Sequence, residues 1–490
     1  MTHILWLRAD LRLSDNPALH ALVSGNKRFV PVYILDSSEA KPMGGAAKVW
    51  LHHSLQALEA EFARHNCKII YRTGDPVIEI PRLAEEIKAE GVFWNRLYDE
   101  HSRIRDEKVK VHLKAKGLGA QSFNASLLYE PWDIVNNGGT YYKVFTPFWK
   151  ACLASGFPRS PYPAPGKITP AFASVESTDK IPHSLNLVDL KLLPQLKIGQ
   201  ADWSIGITKS WKFGERAGLE ALDGFVKSRL SEYADKRDLP ATDGTSRISP
   251  YLRFGQISPY QAWDAAFRAT ESGVPGEITS KATAKFLAEL GWREFSYNLL
   301  YHFPKLGERN FRPEFDGFPW QDEPEMLKSW QQGITGYPIV DAGMRQLYET
   351  GWMHNRVRMI VASFLTKHCL IDWRMGEEWF WDTLVDADYA SNAASWQWVA
   401  GCGADAAPYF RIFNPIIQGE RFDPNGDYVR KWVPEVSRLP NSVIHKPWEA
   451  SALVLKEAGI TLGVDYPKPL VNHEKARTFA LAAYEMIKKN

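Results

Sequence analysis

Cysteine is scarce in this sequence: four in 490 residues (Cys67, Cys152, Cys369 and Cys402), with no CxxC pair among them. That spacing argues against a disulfide framework or a thiolate zinc site, and no cluster of histidines and carboxylates asks for a metal. Long apolar runs are missing as well. No stretch approaches the ~18–20 residues that a membrane-spanning helix needs. The N-terminus, Met1-Thr2-His3-Ile4-Leu5-Trp6-Leu7-Arg8-Ala9-Asp10, meets charge too early for a secretory signal. A cytoplasmic protein without a membrane partner is therefore expected. Excess charge is also lacking, since 59 Lys and Arg against 57 Asp and Glu leave a formal net charge of +2. Any contact with nucleic acid must then use a local basic patch. No G-x-G-x-x-G follows the first strand-like segment, which argues against a nicotinamide dehydrogenase.

Tryptophan is abundant instead, with 19 in the chain. Trp292, Trp320, Trp330, Trp352, Trp373, Trp379, Trp381, Trp396 and Trp398 fall within residues 291–400. Core packing is the ordinary role of a large aromatic ring, but the clustering points to a shared one. The length suits two or three folding units at roughly 150 residues each. Residues 1–127 alternate short β-rich runs (Ile4–Arg8, Phe29–Leu35, Lys68–Arg72 and Val92–Trp94) with helix-like stretches near 46–64, 76–90 and 100–116. This pattern predicts a doubly wound, Rossmann-like parallel sheet. Residues 128–205 are rich in Pro and Gly with little periodicity, and read as an interdomain linker. Residues 206–490 are helical in pattern, with Val357, Ile360, Val361 and Phe364 as one apolar stripe and a last helix near 473–488. The expected fold is thus α/β followed by all-α.

Several polar constellations interrupt the helical part. Gly244-Thr245-Ser246-Arg247-Ile248-Ser249-Pro250 offers backbone N–H groups and hydroxyls just before a helix-like run, suiting either an anion cradle or a plain N-capping turn. Glu289, Trp292, Arg293 and Ser296 share one helical face. A carboxylate beside a flat indole suits a flat, hydrogen-bonding ligand; a Glu289–Arg293 pair on a solvated face is the alternative. Arg356 and Arg358 lie about 200° apart on a helix, so they should have different partners. Asp388, Asn392 and Trp396 are spaced by four and would line up on one helix. Capping by Asp386 or Asp388 would account for the acids but not for Asn392.

Together, Gly244–Pro250, Glu289–Phe295, Thr350–Arg356, Asp386–Trp398 and Ala404–Pro415 resemble the photolyase/cryptochrome family, as do Arg8–Asn16 and Tyr142–Phe148. The resemblance runs nearly end to end and is greatest to class I and class III photolyases of cyclobutane pyrimidine dimers. It implies an antenna domain, a linker and a helical domain that binds FAD. The cofactor-binding residues it implies are Tyr233, the turn Thr245, Ser246, Arg247, Ile248 and Ser249, then Arg358, Asp386, Ala387, Asp388 and Asn392. Arg358 would pair with Asp386, and Asn392 would face the reactive ring nitrogen. DNA and lesion would meet Arg237, Glu289, Trp292, Asn355, Arg356, Trp398 and Gln418, with Arg421 nearby. Trp396, Trp373 and Trp320 match the family's electron route.

The implied activity is light-driven dimer repair by a monomer that reaches the chromosome, flips the lesion out of the duplex and holds its edge with Glu289. A blue-light receptor of the cryptochrome type is the alternative. Asn392, Met353-His354-Asn355-Arg356 and the short C-terminus favour repair. His101 and Ser102 stand where folate-binding relatives carry an Asn-Glu pair. The antenna therefore stays open among methenyltetrahydrofolate, which is favoured, a deazaflavin, a second flavin and none.

Overall fold

The computed structural model describes the chain except residues 1, 40, 173–181, 198, 270–279, 407–409 and 489–490. Ala407-Pro408-Tyr409 of the motif at 404–415 thus lies outside the described residues. The first strand sequence, Thr-His-Ile-Leu-Trp-Leu, is apolar on both faces, as a strand covered on both sides must be. It forms β1 (Thr2–Leu7) at the centre of a sheet with β2 (Arg28–Asp36), β3 (Ile70–Gly74), β4 (Ala89–Asn95) and β5 (Gly119–Phe123). The order is β3-β2-β1-β4-β5 and every pairing is parallel. Alternation sends Ile4 and Trp6 into one core and Leu5 and Leu7 into the other.

Helices α1 (Pro17–Ser24) and α2 (Gly45–Ala63) cover one face, while α3 (Pro76–Glu86) and α4 (Glu100–Ala115) cover the other. Strand β5 goes beyond the expected four. As a sheet edge with no fully buried side chain, its Gly-Ala-Gln-Ser-Phe sequence needs no apolar run and leaves no strand signal.

The segment 128–205, read as an interdomain linker with little periodicity, has regular structure of its own. It contains helix α5 (Phe145–Ala154), whose Phe145, Phe148 and Cys152 are buried at helical spacing. Elsewhere the segment hugs the sheet domain, bridging Pro170 to Phe29 and Leu185 to Tyr71. From Ile205 onward the regular elements are helical. Those that matter most for the site are α6 (Lys281–His302), α7 (Asn355–Ser363), α8 (Trp373–Thr383) and α9 (Tyr389–Ala400); α10 (His473–Lys488) is the last. The stripe Val357, Ile360, Val361 and Phe364 is buried as expected.

The sheet and helical parts share one apolar core, in which Leu5, Leu7 and Trp50 join Trp211, Phe254 and Leu290. The loop after β1 supplies the polar joint. Arg12, only 1% exposed, donates to the carbonyls of Gly255, Asp15 and Ala125 at 2.7–3.0 Å. Leu11 N donates to Phe254 O, and Glu215 accepts from Leu13 N and Ser14 N. Gly255 has φ +62°, and a Cβ there would stand 2.1 Å from Ala9 O. Gly255→Ala should therefore lower the thermal midpoint, because the left-handed backbone alone costs about 1–2 kcal/mol for an L-residue and Ala9 must also move. A melting curve superimposable on wild type would contradict this account of the joint.

Candidate functional site

A cavity of about 560 Å³ opens among α6, α7, α8, α9 and the turn that precedes the short helix Ser249–Arg253. Its size falls in the usual range for a cofactor or drug-sized ligand, roughly 300–1,000 Å³. The turn brings Thr245, Ser246, Arg247, Ile248 and Ser249 to the wall, with Tyr233 beside them. The backbone N–H groups of Thr245, Ser246, Arg247 and Ile248 find no acceptor among the described residues. Arg247 has φ +52°, and its guanidinium packs 4.6 Å from the Trp211 ring and 5.0 Å from the Trp352 ring. Unspent amides in such a bend favour an anion, so the cradle reading gains over plain capping.

Helix α6 presents Glu289, Trp292, Arg293 and Ser296 to the cavity together, as their spacing predicts. Glu289 does not pair with Arg293. It meets Arg237 and Lys285, the latter at 3.3 Å, while Arg293 donates to Ser126 O and Glu294. Trp292 is fixed by a stack on Phe145 of α5, with centroids 3.8 Å apart and planes 8° apart. The linker helix that the sequence reading missed thus braces one wall of the site.

Helix α7 is capped by His354, whose Nδ1 accepts from Arg356 N; burial pushes this imidazole down to about 4, so it is neutral at pH 7. Asn355, Arg356 and Arg358 all line the cavity. The two arginines have different partners, as expected. Arg356 pairs with Asp238 at 3.0 Å. Arg358 Nη2 donates to Asp386 Oδ2 at 2.8 Å, and its Nε donates to Met353 O at 2.8 Å. Asp386 also accepts from Ser249 Oγ at 2.6 Å. Ala387 O accepts from Arg253 Nε at 2.6 Å. Asp388 caps α9 by accepting from Ser391 N at 2.9 Å, and also accepts from Tyr297 OH.

One helix turn on, Asn392 Nδ2 donates to Glu377 Oε1 at 2.8 Å and to Glu377 O at 3.0 Å. Trp396, 2% exposed, lines the cavity with Asn392 and Trp398. Its ring packs edge-on against Phe380, and Trp398 Nε1 donates to Asp405 O.

Four residues named for the electron route or for DNA lie off the cavity lining: Trp373, Trp320, Gln418 and Arg421. Trp373 is fully buried, with its Nε1 donating to Asn310 Oδ1 at 2.9 Å. Trp320 is half-buried against Phe318. Both belong to the apolar cluster that contains Trp396; Trp396 lines the cavity, Trp373 is interior and Trp320 is partly exposed. Gln418 lies on the helix Pro415–Phe422 away from the lining, with its Oε1 buried and unpartnered among the described residues. Conversely, Lys285, Arg253, Ser391 and Ser395 line the cavity without having been singled out. Helical spacing held a signal for some of them: Lys285 lies four residues before Glu289, and Ser395 three after Asn392.

Among the described residues no group of three or more His, Cys, Asp or Glu side chains could hold a metal ion. No described helix is long and apolar enough to cross a membrane.

Comparison with known proteins places this geometry. Residues 3–166 match the family described as DNA photolyase, and residues 286–486 match the FAD binding domain of DNA photolyase. A deoxyribodipyrimidine photo-lyase of Agrobacterium fabrum is 49% identical over 99% of this chain and 98% of its own. Cryptochrome-1 of Arabidopsis thaliana is 37% identical over 97% of this chain and 69% of its own. The crystal structure of a bacterial class III photolyase from Agrobacterium tumefaciens superposes with a TM-score of 0.93 at 48% identity, covering 100% of this chain and 98% of that one. Sequence likeness and shared fold both extend through sheet and helices, and on that footing the chain belongs to the DNA photolyase family.

Proposed function

We propose that this protein repairs cyclobutane pyrimidine dimers in DNA with light, using FAD held in the cavity. The observation that carries the reading is the pairing of two unlike walls. One side offers unspent amides, Arg358 and Asp386 for a dinucleotide; the other offers Glu289 beside Trp292 for a pyrimidine edge. The residues present fit FAD. Backbone N–H groups at 245–248 suit a pyrophosphate, Asp386 and Asp388 supply acceptors for hydroxyls and ring N–H groups, and the volume is adequate. Held there in reduced form by these residues, FAD would supply the light-driven one-electron chemistry that splits the cyclobutane ring.

The chain's own residues do the rest. Arg237, Lys285 and Arg356 set positive charge at the cavity for DNA phosphates, which position the duplex without reading its sequence. Photolyases are among the enzymes that extrude their target base, and a distorted, poorly stacked dimer costs less to extrude. Trp292 and Trp398 give the flipped lesion aromatic walls. Glu289 accepts a hydrogen bond from its N–H edge and so orients the dimer. Trp396, Trp373 and Trp320 form the route by which electrons reach the cavity from the surface.

Residues 1–127 serve as the antenna domain, residues 128–205 as the linker and residues 206–490 as the catalytic domain. Methenyltetrahydrofolate is the favoured antenna, and the absorption spectrum of the released chromophores identifies it.

Glu289→Ala should lower repair of a dimer-containing oligonucleotide under blue light by roughly tenfold to a hundredfold, the scale of one lost hydrogen bond to a charged group, with FAD content unchanged. Loss of the flavin in that variant would show that Glu289 is structural. Trp396→Phe should abolish photoreduction of the oxidised flavin yet leave repair by pre-reduced protein intact; unimpaired photoreduction removes Trp396 from the route. Absence of repair by the reduced wild-type protein would instead favour a light receptor, the reading consistent with likeness to cryptochrome-1.

A further inference from the structure

The link between β2 and α2 lies across α8 of the helical part, and one of its side chains has no place in the photolyase reading above. Three contacts fasten the link. Trp381 Nε1 donates to Pro42 O at 2.7 Å, Gly45 N donates to Asp382 Oδ1 at 2.7 Å, and Lys41 Nζ donates to Glu377 Oε2. Gly44 approaches so closely that a Cβ would stand 2.2 Å from Trp381 O. The Lys41 ammonium also lies 4.9 Å from the Trp381 ring centre and 5.5 Å from that of Tyr389. An ion pair between solvated side chains is worth little. Here the lysine side chain is 32% exposed, but its carboxylate partner is only 3% exposed.

Glu377 in turn governs Asn392. A carboxylate and a carbonyl only accept hydrogen bonds, so the two bonds from Asn392 Nδ2 fix which end of the amide faces Glu377. The nitrogen is consumed there, and Oδ1 is the amide atom left to the cavity. Burial raises the pKa of Glu377 and the neighbouring Glu378 adds to this, while Lys41 and the Asn392 amide oppose it. Tyr389 of α9, the other titratable group packed nearby, has its phenol pushed up to about 12 by burial and is uncharged. Lys41 is thus the cation that these interactions supply to Glu377.

We propose that Lys41 is a positioning residue for the flavin site: from the sheet domain it keeps Glu377 ionised, and Glu377 holds Asn392 with its Oδ1 turned to the cavity as a hydrogen-bond acceptor. The proposal rests on reading this cavity as the FAD site. An amide in series with a carboxylate is polarised and accepts more strongly, which favours the reduced ligand whose facing ring nitrogen carries a hydrogen. Without Lys41, Glu377 takes a proton from solvent and that polarisation weakens.

The test uses the purified FAD-containing protein. The infrared spectrum of Lys41→Met at neutral pH should gain one carboxylic-acid C=O band. The band should vanish when Glu377→Gln is added and should be absent from Lys41→Arg. The midpoint potential of the flavin should fall in Lys41→Met and return in Lys41→Arg. Lys41→Gln reads the same band if the Met side chain disturbs the link. No new band in either neutral variant overturns the proposal, as does a new band accompanied by an unmoved potential. Failure of the FAD reading itself is separately visible, as wild-type protein that retains no flavin.

Discussion

The cavity depends on one carboxylate. Asp386 receives Arg358 from α7 and Ser249 from the 245–249 turn, and it sits in the loop that enters α9. These segments are distant in the chain. A buried carboxylate is tolerable only when paired and hydrogen-bonded, so burying Asp386 requires the three segments to meet. The unspent amides, Asp388 and Asn392 acquire their positions as a consequence. The same desolvation that makes Asp386 demanding makes the cavity a place where charge on a ligand is felt strongly.

Around this fixed point the two walls differ in what they ask of an occupant. The wall built on the 245–249 turn and α9 is rich in backbone donors and paired acids, and suits a long polar ligand that stays. The wall built on α6 holds a carboxylate between two cations with an indole stacked from α5, and suits a planar group that comes and goes. Trp396 belongs to the first wall, and Trp373 lies in the same apolar cluster. An easily oxidised side chain is therefore in reach of the cavity without occupying it.

Much of this was legible in the sequence because it is local. The continuous apolar run of β1 and the 3.6-residue periodicity of α7 announce themselves. So does the i, i+3, i+4, i+7 face of Glu289, Trp292, Arg293 and Ser296. Strand β5 and helix α5 were missed for opposite reasons. The former is an edge with no apolar requirement; the latter hides a clear spacing of Phe145, Phe148, Trp149 and Cys152 within a proline-rich stretch. Of the two readings open for Glu289, the local pair with Arg293 is not the one that forms; Arg237 lies 52 residues away in sequence and arrives only through tertiary packing. Lys41 and Glu377, separated by 336 positions, leave no local trace. Family likeness carried what spacing could not, naming FAD, light and DNA.

Gly255 and Gly44 each allow backbone from one domain to come within a side chain's width of the other. Contacts that close, joined by the hydrogen bonds around them, oppose hinge bending and favour a spacer of fixed length. Any light-absorbing group seated on the sheet domain would keep one distance and one orientation to the flavin cavity. Resonance transfer of excitation falls steeply with distance and depends on the angle between dipoles. Two glycines chosen for their lack of a side chain would then set its efficiency.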